Sequence, residues 1–184
     1  YALESNPKIF NVLCANLALN GISNTRPLNV IIGQEGADDA SMGAWGREAY
    51  IGNIWEPSRL ALDALDLKRC DLIKIDIDGA ELSALQSGEM LIEKYRPVLY
   101  FENDQQPASK SLLDFAMNKL GYDLYWHPAP IFDPDNYFGE PANAWAPNEI
   151  VSLMVLGVPR ERNQSIEGIA RIKSADEWPH FAGS

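Results

Sequence analysis

The chain has 184 residues, of which 46% are hydrophobic and 10% aromatic, a composition typical of one globular domain with a substantial core. Its 26 acidic residues outnumber the 15 basic ones and give a net charge of −11, which argues against a surface that tracks the phosphates of nucleic acid. No apolar stretch approaches the ~20 residues of a membrane-spanning helix, so we expect neither nucleic acid nor membrane as a partner.

Cys14 and Cys70 are the only cysteines, and their separation fits no metal-binding motif. Cys14 falls in a predicted helix and Cys70 lies just before a predicted strand. We therefore expect two buried, reduced thiols, which is consistent with a cytoplasmic protein.

The first predicted elements are a strand end and a helix. Residues 1–4 indicate the end of a strand, and because the chain has no initiator Met, we expect a further segment upstream. Ser5-Asn6-Pro7 predicts a helix start, since a capping residue is followed by Pro at an early helical position. Apolar residues then recur at helical spacing until Asn20-Gly21, which predicts the end of the helix.

Alternating strands and helices follow along the rest of the chain. The further predicted strands are residues 28–32, 49–54, 71–76, 97–101, 122–126 and 150–158. Helices are predicted at 80–95 and 109–120, a short helix or irregular connection at 57–67, loops at 34–46 and 127–148, and a helical tail over 159–184. This alternation predicts an α/β fold with a largely parallel sheet. Only a loop separates the last two strands, which favours antiparallel pairing between them. We expect one domain over 1–160 and a tail over 161–184.

The stretch Asp71-Leu72-Ile73-Lys74-Ile75-Asp76-Ile77-Asp78-Gly79-Ala80-Glu81 is the most informative part of the chain. Its β-branched residues predict a strand that is buried on both faces. The carboxylates of Asp76, Asp78 and Glu81 are expected in solvent at its carboxyl end, where open α/β sheets bind ligands. Asp78 and Glu81 also fit a helix start with acids in its first turn.

Glu102-Asn103 ends the next strand, so we expect it beside Asp76. It could orient a substrate or accept a proton, or it could cap a loop. Asp76, Glu102 and their neighbours Asp78 and Asp104 offer oxygen ligands for a divalent cation, but their spacing is not diagnostic, and we predict no metal site.

His127 is the only histidine at a predicted strand end, since His180 lies in the tail. A neutral imidazole there could act as a general base, and its neighbouring prolines equally suit a structural role. The loop around four nearby aromatic residues could form a lid over a substrate, or those residues could simply pack together. They are Trp126, Phe132, Tyr137 and Phe138.

The motifs taken together resemble the FkbM-type family of S-adenosylmethionine-dependent methyltransferases. The matching segments are Glu4-Ser5-Asn6-Pro7, Asn16 to Gly21, Leu72 to Glu81, Arg96 to Glu102, Phe132 to Gly139 and 150–160. The resemblance implies a Rossmann-like class I methyltransferase sheet, mostly parallel with an antiparallel last strand. Residues 1–4 would be its second strand. The first strand, its glycine-rich loop and the following helix would lie upstream, and the 184 residues contain no GxGxG.

The resemblance also implies roles for individual residues. Glu4 would bind the ribose of S-adenosylmethionine, within a cofactor-binding turn that includes Ser5 and Asn6. Asp76 would hold the methionine end of the cofactor or orient the acceptor. Glu102 and His127 would orient the acceptor or remove its proton. From the residues alone, Glu4 could equally be an acid at the start of the helix, where a negative charge interacts favourably with the helix dipole.

We therefore expect methyl transfer to an oxygen, less readily to a nitrogen, of a small molecule or glycan. One alternative is a truncated, inactive α/β scaffold or interaction domain, since the glycine-rich loop is missing from the sequence. Another is a different nucleotide-binding enzyme, such as an oxidoreductase that uses Glu4 to bind a ribose. A homo-oligomer is a further expectation, because a partner could supply the missing central strand.

Overall fold

The computed structural model describes residues 1–33, 57–140 and 151–179. The predicted loop at 34–46, the predicted strand at 49–54, part of the predicted loop at 127–148 and His180 lie outside the described residues. The chain divides into two compact units. Unit 1 comprises Tyr1–Arg69 and Asp78–Lys94, and unit 2 comprises Cys70–Ile77 and Tyr95–Ser184. The predicted boundary at residue 160 stays a prediction.

Unit 1 contains short parallel strand pairs and helices. Its strands are β1 (Ala2–Glu4), β2 (Pro27–Asn29), β3 (Ile31–Ile32) and β4 (Arg59–Leu60). Its helices are α1 (Pro7–Leu19), α2 (Glu81–Ser87), α3 (Glu89–Tyr95, whose last residue belongs to unit 2) and a 3₁₀ turn at Leu62–Ala64. β1 pairs with β2, and β3 pairs with β4.

The predicted boundaries of α1 are confirmed, and their physical causes are visible. The Asn6 side chain accepts hydrogen bonds from the backbone N–H groups of Lys8 and Ile9 at 2.9 and 3.4 Å. Pro7 occupies the first helical position, where a missing N–H is harmless. The helix ends at Asn20, and Gly21 follows with a φ of +64° that suits glycine.

Two predicted elements of unit 1 are each divided in the structure. The predicted strand at 28–32 is β2 and β3, because the two halves pair with different strands on either side of Val30. The predicted helix at 80–95 is α2 and α3, which meet at Gly88. A Cβ at Gly88 would lie 2.9 Å from the Cβ of Leu62, so glycine permits this close approach.

Unit 2 is built on a five-stranded sheet. Its strands are β5 (Leu72–Ile75), β6 (Val98–Glu102), β7 (Tyr122–Pro130), β8 (Val151–Pro159) and β9 (Ala170–Arg171). Its order is β5-β6-β8-β7-β9, and β8 runs antiparallel to both β6 and β7. The mixed α/β fold and the antiparallel pairing of the last two predicted strands are therefore confirmed. The described strands form this sheet and two separate pairs, where the sequence predicted one sheet.

The predicted burial of β5 on both faces is wrong. Leu72 is 60% exposed and Lys74 is also exposed, whereas Ile75 is buried. The reason is that Leu72 and Lys74 lie on the same face as the half-buried Tyr100, whereas Ile75 lies on the face of the buried Phe101. The predicted burial of the cysteines is also wrong, since both are half-buried, and both are free thiols as predicted.

The C-terminal part of the chain also differs from its prediction. β7 continues to Pro130, four residues beyond the predicted end, because its pairing with β8 extends to Pro130 and Val151. The predicted helical tail is wrong for residues 163–179, where the regular element is β9. β9 pairs with β7, and Ile172 beside it is buried. Tail residues thus complete the sheet.

The remaining helical segment of unit 2 connects β6 to β7. It consists of α4 (Gln106–Asp114) and one π turn (Phe115–Lys119), which together correspond to the predicted helix at 109–120. Its apolar side chains Leu112, Leu113 and Ala116 are buried. The Asn103 amide donates to the Ser109 hydroxyl at 2.9 Å and ties α4 to the end of β6.

Candidate functional site

One face of the five-stranded sheet in unit 2 carries polar side chains near the carboxyl ends of β5 and β6. Strand register places Lys74 opposite Tyr100, and Glu102 opposite Met154, which is itself opposite His127. Since residues directly opposite each other share a face and alternate residues return to it, these side chains lie on the same face. We call this surface the polar face and define it by Lys74, Tyr100, Glu102 and His127.

The opposite face of the same sheet is part of the core. Leu99, Phe101, Leu124 and Val155 lie on it and are fully buried. Tyr100 and Glu102 alternate with these residues along β6 and are only half-buried. The polar groups of β6 are therefore accessible on one face, while the other face holds the strand in place.

Asp76 and Glu102 lie next to each other, as the sequence predicted. Ile75 is paired with Phe101 in neighbouring strands. Asp76 directly follows Ile75, and Glu102 directly follows Phe101. Lys74 donates to Asp76 at 2.5 Å, and the Ser152 hydroxyl donates to Glu102 at 3.0 Å. Both carboxylates are thus held by neighbouring side chains at the same edge of the sheet.

Tyr100 and His127 form a direct hydrogen bond across β8. Tyr100 Oη lies 2.7 Å from His127 Nδ1, and both side chains are half-buried. Burial raises the pKa of the Tyr100 phenol, the Lys74 ammonium lowers it and the Asp76 carboxylate raises it. The hydroxyl therefore stays protonated at neutral pH and lies within electrostatic range of Asp76.

Tyr100 is the residue that the sequence analysis missed. Its position two residues before Glu102 on a predicted strand shows that it shares a face with the predicted site residue. His127 was assigned to a loop, but it lies inside β7, which fixes its ring over β8. The three predicted catalytic residues Asp76, Glu102 and His127 thus lie on or beside the polar face.

The predicted cofactor-binding residues lie in unit 1, at the turn between β1 and α1. Glu4 Oε1 accepts from the backbone N–H of Asn6 at 2.6 Å. The Asn29 amide donates to the backbone carbonyls of Glu4 and Ser5 at 2.7 and 3.1 Å. These bonds fix the turn, and Glu4 Oε2 accepts no hydrogen bond from the residues that the structure describes.

Several predicted polar residues serve the fold itself. The Asn6 side chain is occupied as the α1 cap. Glu81 is buried rather than exposed to solvent as predicted, and its carboxylate accepts from the Gly79 N–H at 3.2 Å at the start of α2. Asn103 is also buried. Asp78 is exposed, and its φ of +50° belongs to the tight turn before α2.

The described residues were also compared with the predictions about a metal site, a membrane-spanning helix and a lid. No group of three or more His, Cys, Asp or Glu side chains in ranges 1–33, 57–140 and 151–179 is placed to hold a metal ion. Within those ranges no helix has the length and apolar character needed to cross a membrane. Tyr137 and Phe138 of the predicted lid are 95% and 85% exposed and contact each other edge to face.

Comparison with known proteins identifies the family to which the chain belongs. The sequence model described as "Methyltransferase FkbM domain" matches residues 1–124. The chain belongs to this family. The matched range includes Glu4, Asp76, Tyr100 and Glu102, whereas His127 lies three residues beyond it. No match was found among curated proteins or among solved structures.

Membership of the FkbM methyltransferase family assigns the chain to the methyltransferases and implies a methyl donor. The resemblance proposed from the sequence is therefore confirmed for residues 1–124. The two C-terminal segments of that resemblance, Phe132 to Gly139 and residues 150–160, lie outside the matched range.

Proposed function

We propose that the protein transfers a methyl group from S-adenosylmethionine to an oxygen of a small molecule or glycan. Family membership supports methyl transfer in general. The observation that carries the oxygen assignment is the hydrogen-bonded pair of Tyr100 and His127 beside Asp76 and Glu102. An oxygen acceptor must lose a proton as it is methylated, and this pair supplies a proton acceptor on an accessible face.

The strand order supports a Rossmann-like class I methyltransferase sheet. β5 and β6 are parallel neighbours, and the last long strand, β8, inserts antiparallel between β6 and β7. β5, β6 and β7 consequently run in one direction, and their carboxyl ends meet at one edge. Ligands of open α/β sheets bind at that edge, which is where Asp76 and Glu102 lie.

Glu4 fits the role of ribose ligand. When bound, S-adenosylmethionine supplies a methyl group on a sulfonium centre, whose carbon–sulfur bond breaks with its electron pair on sulfur as the acceptor oxygen bonds to the methyl carbon. The Glu4 carboxylate is half-buried and fixed through Oε1, which leaves Oε2 able to accept from a ribose hydroxyl. Ser5 and Asn6 contribute by shaping the turn.

Asp76 and Glu102 would position the reactants. Asp76 carries a negative charge at the strand edge and suits the methionine ammonium or a hydroxyl of the acceptor. Glu102 is held by Ser152 and can accept a hydrogen bond from the acceptor. The protein's contribution is then to align the acceptor oxygen with the methyl group and to accept its proton.

Substitution of Glu4 tests the cofactor site. Glu4→Gln keeps an oxygen that accepts from the Asn6 N–H, but it replaces the charged acceptor of the ribose hydroxyls with an amide. Since hydrogen bonds to charged groups contribute about 1.5–3 kcal/mol, we expect Kd for S-adenosylhomocysteine to rise about tenfold or more. Isothermal titration calorimetry measures this change.

Asp66→Asn is the matched control, because Asp66 is an exposed acid of the same unit outside the turn. We expect its Kd to equal that of the wild-type protein. An unchanged Kd in Glu4→Gln would remove Glu4 from the site. Absence of binding by the wild-type protein to both S-adenosylmethionine and S-adenosylhomocysteine would overturn the proposed cofactor and favour the scaffold alternative.

A further inference from the structure

The order of strands in the sheet determines whether Tyr100 or His127 lies closer to a methyl acceptor bound at Asp76. β7 is separated from β5 by β6 and β8, which places their backbones about 14 Å apart at ordinary strand spacing. Tyr100 lies on β6, directly opposite Lys74 of β5. An acceptor held at Asp76 is therefore close to Tyr100 and remote from the backbone of His127.

We propose that Tyr100 is the catalytic proton acceptor and that His127 is a positioning residue that receives the proton through it. This inference rests on the proposed function. The acceptor's O–H proton passes to Tyr100 Oη while the Tyr100 proton passes to His127 Nδ1. Tyr100 ends neutral and His127 ends as the imidazolium, which later releases the proton to water.

The observed hydrogen bond supports this direction of transfer. A phenol O–H is a strong donor and an imidazole nitrogen is a strong acceptor, so the 2.7 Å contact suits donation from Tyr100 to Nδ1. His127 then carries its own proton on Nε2 in the neutral state. Nε2 makes no hydrogen bond to the residues that the structure describes, so nothing among them imposes the opposite tautomer.

The surroundings suit a hydroxyl that must exchange protons with a ligand. Tyr100 and His127 are both half-buried, so the pair is partly shielded and yet reachable from the polar face. The titratable side chains close to Tyr100 include Lys74 and Asp76 at β5, the neighbouring strand, and Glu102 on β6 itself. The Lys74 ammonium would offset the partial negative charge that develops on Tyr100 Oη while the two protons move.

The tautomer of His127 provides the test, and it requires neither cofactor nor acceptor. The chain has two histidines, so protein labelled with ¹⁵N-histidine gives two sets of ring resonances, which His180→Gln assigns. At a pH where His127 is neutral, we expect the protonated-type ¹⁵N resonance at Nε2 and an acceptor-type resonance at Nδ1. In Tyr100→Phe, the Nδ1 resonance should move to the position of a nitrogen whose lone pair has no donor.

Tyr125→Phe is the matched control, since Tyr125 lies two residues from His127 and its hydroxyl donates instead to the Gln164 carbonyl at 3.2 Å. We expect it to leave both ring resonances of His127 unchanged. A neutral His127 with its proton on Nδ1 would overturn the proposal, because Tyr100 would then be the hydrogen-bond acceptor. An Nδ1 resonance that is the same in Tyr100→Phe would also overturn it. Neither result bears on cofactor binding, which calorimetry tests separately.

Discussion

Polar side chains at the strand and helix ends of this chain divide into two groups by what they contact. Asn6, Glu81 and Asn103 accept from or donate to groups of the fold, which satisfies hydrogen bonds that burial or helix ends would leave unmade. Asp76 and Asp78 are exposed, and Asp76 contacts Lys74 on the same strand. Residue type alone therefore does not separate the acids that serve the fold from the exposed acids, whereas burial and hydrogen-bond partner do.

Tyr122 shows how strongly a buried hydroxyl depends on its partner. Its hydroxyl donates to the Pro97 carbonyl at 2.8 Å, and burial raises its pKa to about 12. Tyr122→Phe leaves that carbonyl without its donor in the core, so we expect a loss of about 1–3 kcal/mol in the free energy of unfolding. Chemical denaturation measures it. Tyr125→Phe, whose hydrogen bond is longer and half-buried, should lose less, and an equal loss in both variants would contradict this account.

At the scale of elements, Arg96 joins the start of β6 to the end of the π turn and to the segment after β8. Its guanidinium donates to the Leu120 and Gly121 carbonyls at 2.8 and 3.3 Å and to the Glu161 carboxylate at 2.6 and 3.0 Å. The hydrogen bond from Arg96 lowers the pKa of Glu161 from 4.5 to about 2. Its carboxylate is therefore stabilised in the folded protein.

This ion pair predicts a dependence of stability on pH. Because the folded pKa is depressed, the stabilisation is present above the unfolded pKa of 4.5 and disappears as pH falls towards about 2. Glu161 is 56% exposed, so we expect the difference in unfolding free energy between wild type and Glu161→Gln to be only about 0.5–1 kcal/mol at neutral pH. Urea denaturation from pH 7 to 2 measures it. Glu167→Gln, an exposed acid of the same segment, should show no such difference, and a difference independent of pH in Glu161→Gln would contradict the assignment.

Local patterns predicted those elements whose ends depend on neighbouring residues. Asn6-Pro7 and Asn20-Gly21 set the ends of α1 through capping and a left-handed glycine, which are interactions within a few residues. β9 could not be predicted this way, because two residues of the tail form a strand only by pairing with Tyr125 and Trp126 of β7. The end of β7 was misplaced for the same reason: two prolines suggested a loop, but pairing with β8 continues through them.

In the candidate site, too, the positions set by the local sequence were predictable, and the contact set by tertiary strand pairing was not. Asp76 and Glu102 each follow a predicted strand, and parallel neighbours bring such ends together. The contact between Tyr100 and His127 depends on β8 lying between β6 and β7, so that the two side chains meet across a strand that follows both of them in the sequence. That order is a property of tertiary pairing and has no local signature.

At the scale of the whole molecule, both units contain fully buried residues, which in unit 1 include Leu85 of α2 and Ile92 of α3, but α1 contains none. Unit 2 holds the fully buried Leu99, Phe101, Tyr122 and Leu124 in its five-stranded sheet. In unit 1, α1 contains no fully buried residue, and Ile9, Val12 and Leu19 are 53%, 58% and 84% exposed. Since helices in proteins are stabilised mainly by packing of an apolar face, α1 has little support within the described structure.

This difference predicts a difference in local opening between two helices. α1 and α4 both have Pro in the first turn and a hydrogen-bonded backbone, but α4 buries Leu112 and Leu113 whereas α1 buries no side chain fully. We expect the central amides of α1 to exchange with solvent at least about tenfold faster than those of Leu112 and Leu113, after correction for intrinsic rates. The reason is that opening of α1 exposes less buried apolar surface to water than opening of α4 does. Native-state hydrogen exchange followed by NMR measures both helices in one sample, and β6 amides serve as the slow reference. Equal protection of α1 and α4 would show that α1 is stabilised by packing that its exposed side chains do not reveal.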